Sequence, residues 1–175
     1  MKAALLVILF APFALAQDAA PAADAACGPA NVQFETQLTH SQTPLQPEAG
    51  KSLVYVVEVF DKVVGQLSHP TLRVGLDGKW VGADKGDSYI AFQTDPGEHH
   101  ICTRWQSHWK RFRKEAAFAG FTADAGKVYY FRARITEYGG SGGASNFSLD
   151  LEPLNGDEGK YLVASSRVSA SQPKK

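Results

Sequence analysis

Neither sign of charge is in excess in this chain. Lysine and arginine number 18, aspartate and glutamate also 18, a formal net charge of +0 at pH 7 over 175 residues. That balance removes any global attraction to nucleic acid or to an anionic membrane, since both require an uncompensated basic field. Cysteine is scarce too: Cys27 and Cys102 are the only two, which allows one disulfide at most. The apolar run from Ala3 to Leu15 is too short to cross a bilayer. A Walker loop, a dinucleotide fingerprint, carboxylate pairs at strand spacing and internal repeats are all missing. The sequence thus carries no Walker-type or Rossmann-type nucleotide motif and no repeat pattern.

What is present begins with a leader. Basic Lys2, the apolar run and an Ala-x-Ala end at Ala14, Leu15 and Ala16 have the form of a secretory signal peptide over residues 1–16, cleaved before Gln17. Its removal leaves one excess acid and no transmembrane span. Residues 17–26 are an Ala/Pro/Asp linker with nothing to bury, expected to be disordered. Cys27 follows Ala25-Ala26, as a lipid-modified cysteine would. It lies eleven residues past Ala16, however, with Asp18 and Asp24 between, which argues against lipoprotein anchoring. In an oxidising periplasmic or extracellular compartment the two cysteines are expected to pair, tying the loose N-terminal segment to the sheet; two unpaired thiols are the alternative.

The region from Arg73 to Trp105 organises the rest. Leu72, Val74 and Leu76 alternate with Arg73, Gly75 and Asp77, the period-two pattern of a strand with one buried and one wet face. Asp77-Gly78 fits a tight hairpin turn, so Lys79 to Ala83 should return antiparallel. Tyr89 to Thr94 is β-prone, Asp95-Pro96-Gly97 is a strong turn, and Glu98 to Trp105 is a further strand. Asn31 to Leu38 reads as an extended edge segment. Lys51 to Phe60, with its run SLVYVVEVF, is apolar enough for a central strand buried on both faces. Glu115 to Ala123 and Lys127 to Ile135 are two more strands. In the second, Tyr129, Phe131, Ala133 and Ile135 share one face and Tyr130, Arg132 and Arg134 the other. Phe147, Leu149 and Leu151 mark a last strong strand, Asp157 to Ser166 is a short helix or a final strand, and residues 169–175 read as a disordered polar tail. The sum is an all-β chain, a single antiparallel sandwich of about seven or eight strands, immunoglobulin-like or prealbumin-like, over residues 27–168.

A strand ending in Asp77-Gly78-Lys79 with Val81-Gly82 beyond it, then a turn reading Pro96-Gly97-Glu98-His99, resembles exported bacterial domains of the PEGA type. More closely it resembles the bacterial domain of unknown function 2846, through the segments Lys51 to Val57, Val74 to Gly82, Asp95 to Cys102, Gly126 to Arg134 and Leu149 to Pro153 in that order. The resemblance implies a small β-sandwich in the cell envelope and carries no catalytic residues.

Three stretches invite chemistry. Gly139-Gly140-Ser141-Gly142-Gly143 matches the G-x-S-x-G nucleophile elbow, but that motif needs a strand before and a helix after it, and here it links two strands. The sequon Asn146-Phe147-Ser148 sits on a strand whose Phe147 is expected inside. His99, His100 and His108, with Cys102, raise a metal-dependent or hydrolytic enzyme. On a strand only His100 and Cys102 share a face, no closed ligand set follows, and neither a metal nor another cofactor is expected. Trp105, Trp109, Lys110, Arg111, Arg113 and Lys114, around Phe112, form the one local departure from neutrality. Either they are a binding loop for an anionic envelope polymer, a lipid head group or an envelope protein, or Trp105 and Phe112 belong to the core edge and the basic residues are a solvated hairpin tip. The expectation is a non-enzymatic, exported binding or accessory module; a structural docking domain of a larger envelope assembly is the rival reading.

Overall fold

The computed structural model describes residues 27–40, 45–60, 70–109, 112–139 and 145–175. In them the chain forms β1 (Phe34–Thr39), β2 (Ser52–Phe60), β3 (Thr71–Leu76), β4 (Lys79–Lys85), β5 (Ser88–Thr94), β6 (Gly97–Gln106), a 3-10 turn (Phe112–Lys114), β7 (Ala116–Ala123), β8 (Val128–Gly139), β9 (Ser145–Leu154), helix α1 (Gly156–Ser165) and β10 (Arg167–Pro173). One sheet has six strands in the order β1-β10-β5-β2-β8-β9, and the other has four, β4-β3-β6-β7. The expected leader and linker, and all of the Gly139 to Gly143 loop but Gly139, lie outside the described residues.

Two sheets facing one another are present, but ten strands replace seven or eight, and the pairing is mixed. β2 runs parallel to β8 and β10 parallel to β5, so the wholly antiparallel sandwich is corrected to a sandwich with two parallel seams inside its larger sheet. β2 is buried on both faces, as its composition demands. Val54 and Val56 enter the core between the sheets, whereas Leu53, Tyr55 and Val57 join a second cluster on the outside of the larger sheet.

Helix α1 roofs that second cluster. Asn155 caps it, its side-chain oxygen accepting from the amides of Asp157 and Glu158. Leu162 and Val163 then pack, with Tyr130, against the cluster of Leu53, Tyr55, Val57 and Tyr89. The helix comes so close that a Cβ at Gly159 would lie 2.2 Å from Tyr130 Cγ. Arg132 pins the first turn through Glu158 at 2.8 Å.

Residues 169–175, expected to be a tail, instead supply most of β10, which lies between β1 and β5. Its apolar pattern is weak because its inward groups are serines with a polar task. Ala83 N–H donates to Ser171 Oγ and Ser169 Oγ donates to the Ala83 carbonyl, both at 2.9 Å, so β10 satisfies the backbone of edge strand β4. Gln106 does the same for Phe34 of β1, accepting its N–H at 2.7 Å and donating to its carbonyl at 2.9 Å.

The face of β3 expected to be wet is covered as well. Residues 27–32 lie across it as a strap, held by the disulfide between Cys27 and Cys102, whose Cα atoms are 5.4 Å apart. Arg73 is only 4% exposed. Its guanidinium donates to the carbonyls of Ala30 and Val32 at 3.2 and 2.6 Å and lies 4.5 Å above the Trp80 ring. The strap approaches so closely that a Cβ on Gly75 would meet the Cys27 carbonyl at 2.2 Å.

Candidate functional site

The basic aromatic segment leaves the smaller sheet at the end of β6, and its two tryptophans part company there. Trp105 follows Ile101 and Thr103 on the inward face of the strand and is 6% exposed. It stacks on Phe112 at 4.5 Å, and Phe147 meets both rings edge-on at 5.7 and 5.3 Å. Its expected role in binding is therefore corrected: Trp105 is core, because Phe112 and Phe147 remove it from solvent. Trp109 is 69% exposed. Its backbone is nonetheless held, with its N–H donating to Ser107 Oγ and its carbonyl accepting from Phe112 and Arg113. Arg113 and Lys114 are exposed beside it, and Arg104 Nε donates to the Arg113 carbonyl at 3.0 Å. Lys110 and Arg111 lie outside the described residues. The arrangement is an exposed indole and two cations on a turn whose underside is anchored in the core by Phe112.

The histidines do not converge. His100 and His108 are exposed, Cys102 is committed to the disulfide, and among the described residues no group of three or more His, Cys, Asp or Glu stands close enough to hold a metal. His99 has the one organised environment. Its Nδ1 lies 2.7 Å from Asp77 Oδ2, and its Nε2 lies 2.8 Å from the Asp95 carbonyl and 3.2 Å from Thr94 Oγ1. An Asp-His-Thr sequence of contacts has the outline of a nucleophile, base and orienting acid. The Asp95 carbonyl decides against that use. A carbonyl can only accept, so Nε2 carries a proton and has no lone pair to take one from Thr94. Partial desolvation pulls the His99 pKa down, but the Asp77 and Asp95 contacts outweigh it and the net shift is upward. Asp77 shows the mirror image: desolvation raises its pKa, while the His100 amide and the His99 ring bring it below its usual value. His99 is thus a charged clamp between the β3–β4 turn and the β5–β6 turn.

Sequence reasoning missed a pair of acids. Glu58 and Asp84 are both fully buried, on strands of different sheets, and their carboxyl groups interact directly. The available signal was a glutamate inside the otherwise apolar SLVYVVEVF. Nothing in the sequence put Asp84 opposite it, because the contact crosses from one sheet to the other. A separate open groove of about 470 Å³ beside β9 is lined by Phe118, Arg134, Thr136, Asp150 and Glu152, without histidine or cysteine.

No curated protein and no solved structure matches the chain. One family model does, over residues 48–144, more than half of the 175 residues. The matched span runs from just before β2 to just before β9, so it holds four of the five segments that suggested the likeness and leaves Leu149 to Pro153 outside. It includes the His99 clamp, both buried acids and the turn that carries Trp109. The chain belongs to the family described as protein of unknown function (DUF2846).

Proposed function

We propose that this protein is a non-catalytic, exported module of the bacterial cell envelope, and that it holds an anionic envelope polymer or lipid head group at the turn after β6. The observation that carries the binding role is Trp109, an exposed indole on a backbone fixed by three hydrogen bonds, with Arg113 and Lys114 alongside. A free surface gains nothing from displaying a large aromatic ring to water, whereas stacking combined with charge is how sugars and phosphorylated head groups are gripped. The near-zero net charge confines the attraction to this turn, so binding should weaken as salt screens it. Export is supported by the form of residues 1–16 and by the Cys27–Cys102 disulfide, a bond that persists in oxidising compartments. A thiol held in that disulfide is not available for lipidation, which favours a soluble periplasmic or secreted protein.

Binding to acidic polysaccharide and to vesicles containing anionic lipid tests the reading, with Trp109→Ala and a variant neutralising Lys110, Arg111, Arg113 and Lys114 as controls. Both variants should lose binding while stability changes by less than about 0.5 kcal/mol, since Trp109, Arg113 and Lys114 are exposed. Unchanged binding in both removes the turn from consideration. Intact mass of protein recovered from cells tests the compartment. A chain starting at Gln17 that gains two hydrogens on reduction is expected, and a chain starting at an acylated Cys27 would refute it.

A further inference from the structure

Between the sheets, where β2 nears its end and β4 turns into β5, two carboxyl groups face each other. Glu58 continues the inward row of Val54 and Val56 on β2, and Asp84 lies opposite the core residue Leu72 of β3. Both side chains are wholly shut off from solvent. Glu58 Oε2 accepts the Gly86 N–H at 2.8 Å, but Glu58 Oε1 and both oxygens of Asp84 have no hydrogen-bond donor. Among the described residues, the elements packed around them bring no compensating cation. β3 contributes Leu72, β8 places Ala133 beside Glu58, and β5 brings Ser88, whose hydroxyl accepts from the Lys85 amide. β10 contributes the serines that bind Ala83. Lys85 follows Asp84 along the strand and leaves from the opposite face. Asp87, in the turn, adds a further negative charge near Glu58.

Two ionised carboxylates in contact in such a place would be unpaired buried charges, among the least tolerable arrangements in a protein interior. A proton removes the conflict, because a protonated carboxyl is a donor and each acid then supplies the partner the other lacks. A bridging divalent ion is the competing solution. Calcium, however, takes six to eight oxygen ligands, and only three orphan oxygens converge here. We infer that Glu58 and Asp84 are a proton-sharing acid pair that fastens the central strand of the larger sheet to the edge strand of the smaller one, a clasp closed in acid and released by base. Burial, followed by the mutual repulsion of the two acids, holds Glu58 well above the carboxylate range, and burial pushes Asp84 up to about 8.

The consequence is a pH dependence opposite to ordinary acid denaturation. The native state holds protons that the unfolded chain gives up above about pH 4, so the contribution of the pair is complete below that pH and is lost as pH rises through about 8. Each extra proton held natively lowers the folding equilibrium constant about tenfold per pH unit across that window. Urea unfolding of the full chain with its disulfide intact, from about pH 5 to about pH 9, is compared for the wild type and for Glu58→Gln with Asp84→Asn. The acid end separates this effect from His99, which is charged in both states below about pH 6. The wild type should lose stability already between about pH 5 and 6, while the double variant stays flat there. An infrared spectrum of the wild type at neutral pH should show the carbonyl stretch of a protonated carboxylic acid, absent from the double variant. Should the variant not fold, that band and the wild-type slope below pH 6 still decide. A flat wild-type profile there, or no protonated-acid band, overturns the proposal. So does a rise in the unfolding midpoint on adding calcium or magnesium that a chelator reverses.

Discussion

Helix α1 and the strap at residues 27–32 do the same task on opposite faces of the sandwich, yet their chemistry has little in common. The helix covers three tyrosines with Leu162 and Val163, so its attachment follows from removing apolar surface from water. The strap reads Cys-Gly-Pro-Ala-Asn-Val, and it buries little apolar surface, since Pro29 and Ala30 stay exposed and Val32 is only half-buried. It is held by one covalent bond, the Arg73 guanidinium on two of its carbonyls, and Trp80 Nε1 donating to the Pro29 carbonyl at 2.8 Å. Burial by packing is indifferent to redox conditions. Burial by tethering is not, and the difference predicts which face opens first when the protein is reduced.

Breaking the tether should have the largest effect. With Cys27 and Cys102 both changed to serine, a cross-link spanning 75 residues disappears and stability should fall by about 4 kcal/mol in the chain-entropy account. Hydrogen exchange should quicken over residues 28–33 and β3 while α1 keeps its protection. Equal loss on both faces would mean the two covers are one cooperative unit.

Two glycines sharpen the contrast. Gly75→Ala drives a methyl into the Cys27 carbonyl, and Gly159→Ala drives one into the Tyr130 ring, each at 2.2 Å before relaxation. The strap cannot withdraw while its disulfide holds, so Gly75→Ala should cost about 3 kcal/mol. The helix can shift over its apolar bed and gains helix propensity from alanine, leaving Gly159→Ala nearer 1 to 2 kcal/mol. In the cysteine-free background the Gly75 penalty should shrink and the Gly159 penalty should not, a non-additivity that a double-mutant cycle of urea midpoints reads directly.

The smallest effect concerns the turns between the faces. His99→Gln should cost about 1 kcal/mol near pH 6, the worth of its hydrogen bonds. The folded pKa of His99 is raised above 6.5, so its contribution is complete below that pH and lost as pH rises through the folded value. That of Asp77 is lowered below 3.8, so its share is present above 3.8 and lost as pH falls through the folded value. The difference between wild type and variant should therefore peak between the two and shrink toward about pH 9; a penalty that grows with pH would contradict the charged clamp.

Much of the fold was legible because its signals are local. Asp77 and Gly78 take φ of 49° and 78°, the hairpin geometry their sequence announces. The alternation in β8 puts Phe131, Ala133 and Ile135 inside and Arg132 outside. Period two from Ile101 also placed Trp105 inward, a signal that its neighbouring charges obscured. What could not be read depends on cross-sheet partners. β10 looks like a tail because its serines serve another strand's backbone instead of filling the core. Arg73 looks solvent-facing because the strap that covers it lies over forty residues away in sequence. Glu58 and Asp84 meet only because two sheets face each other.

The pairing of β1 with β10 has a consequence in time. Among the described strands β1 has β10 as its one neighbour in the sheet, along six residue pairs from Phe34 opposite Pro173 to Thr39 opposite Val168. β1 therefore waits for β10, and the larger sheet cannot acquire that edge until the strands between them in the chain have been made. Closure of β1 onto β10 is a contact of very high sequence separation, which places it among the slow steps of folding.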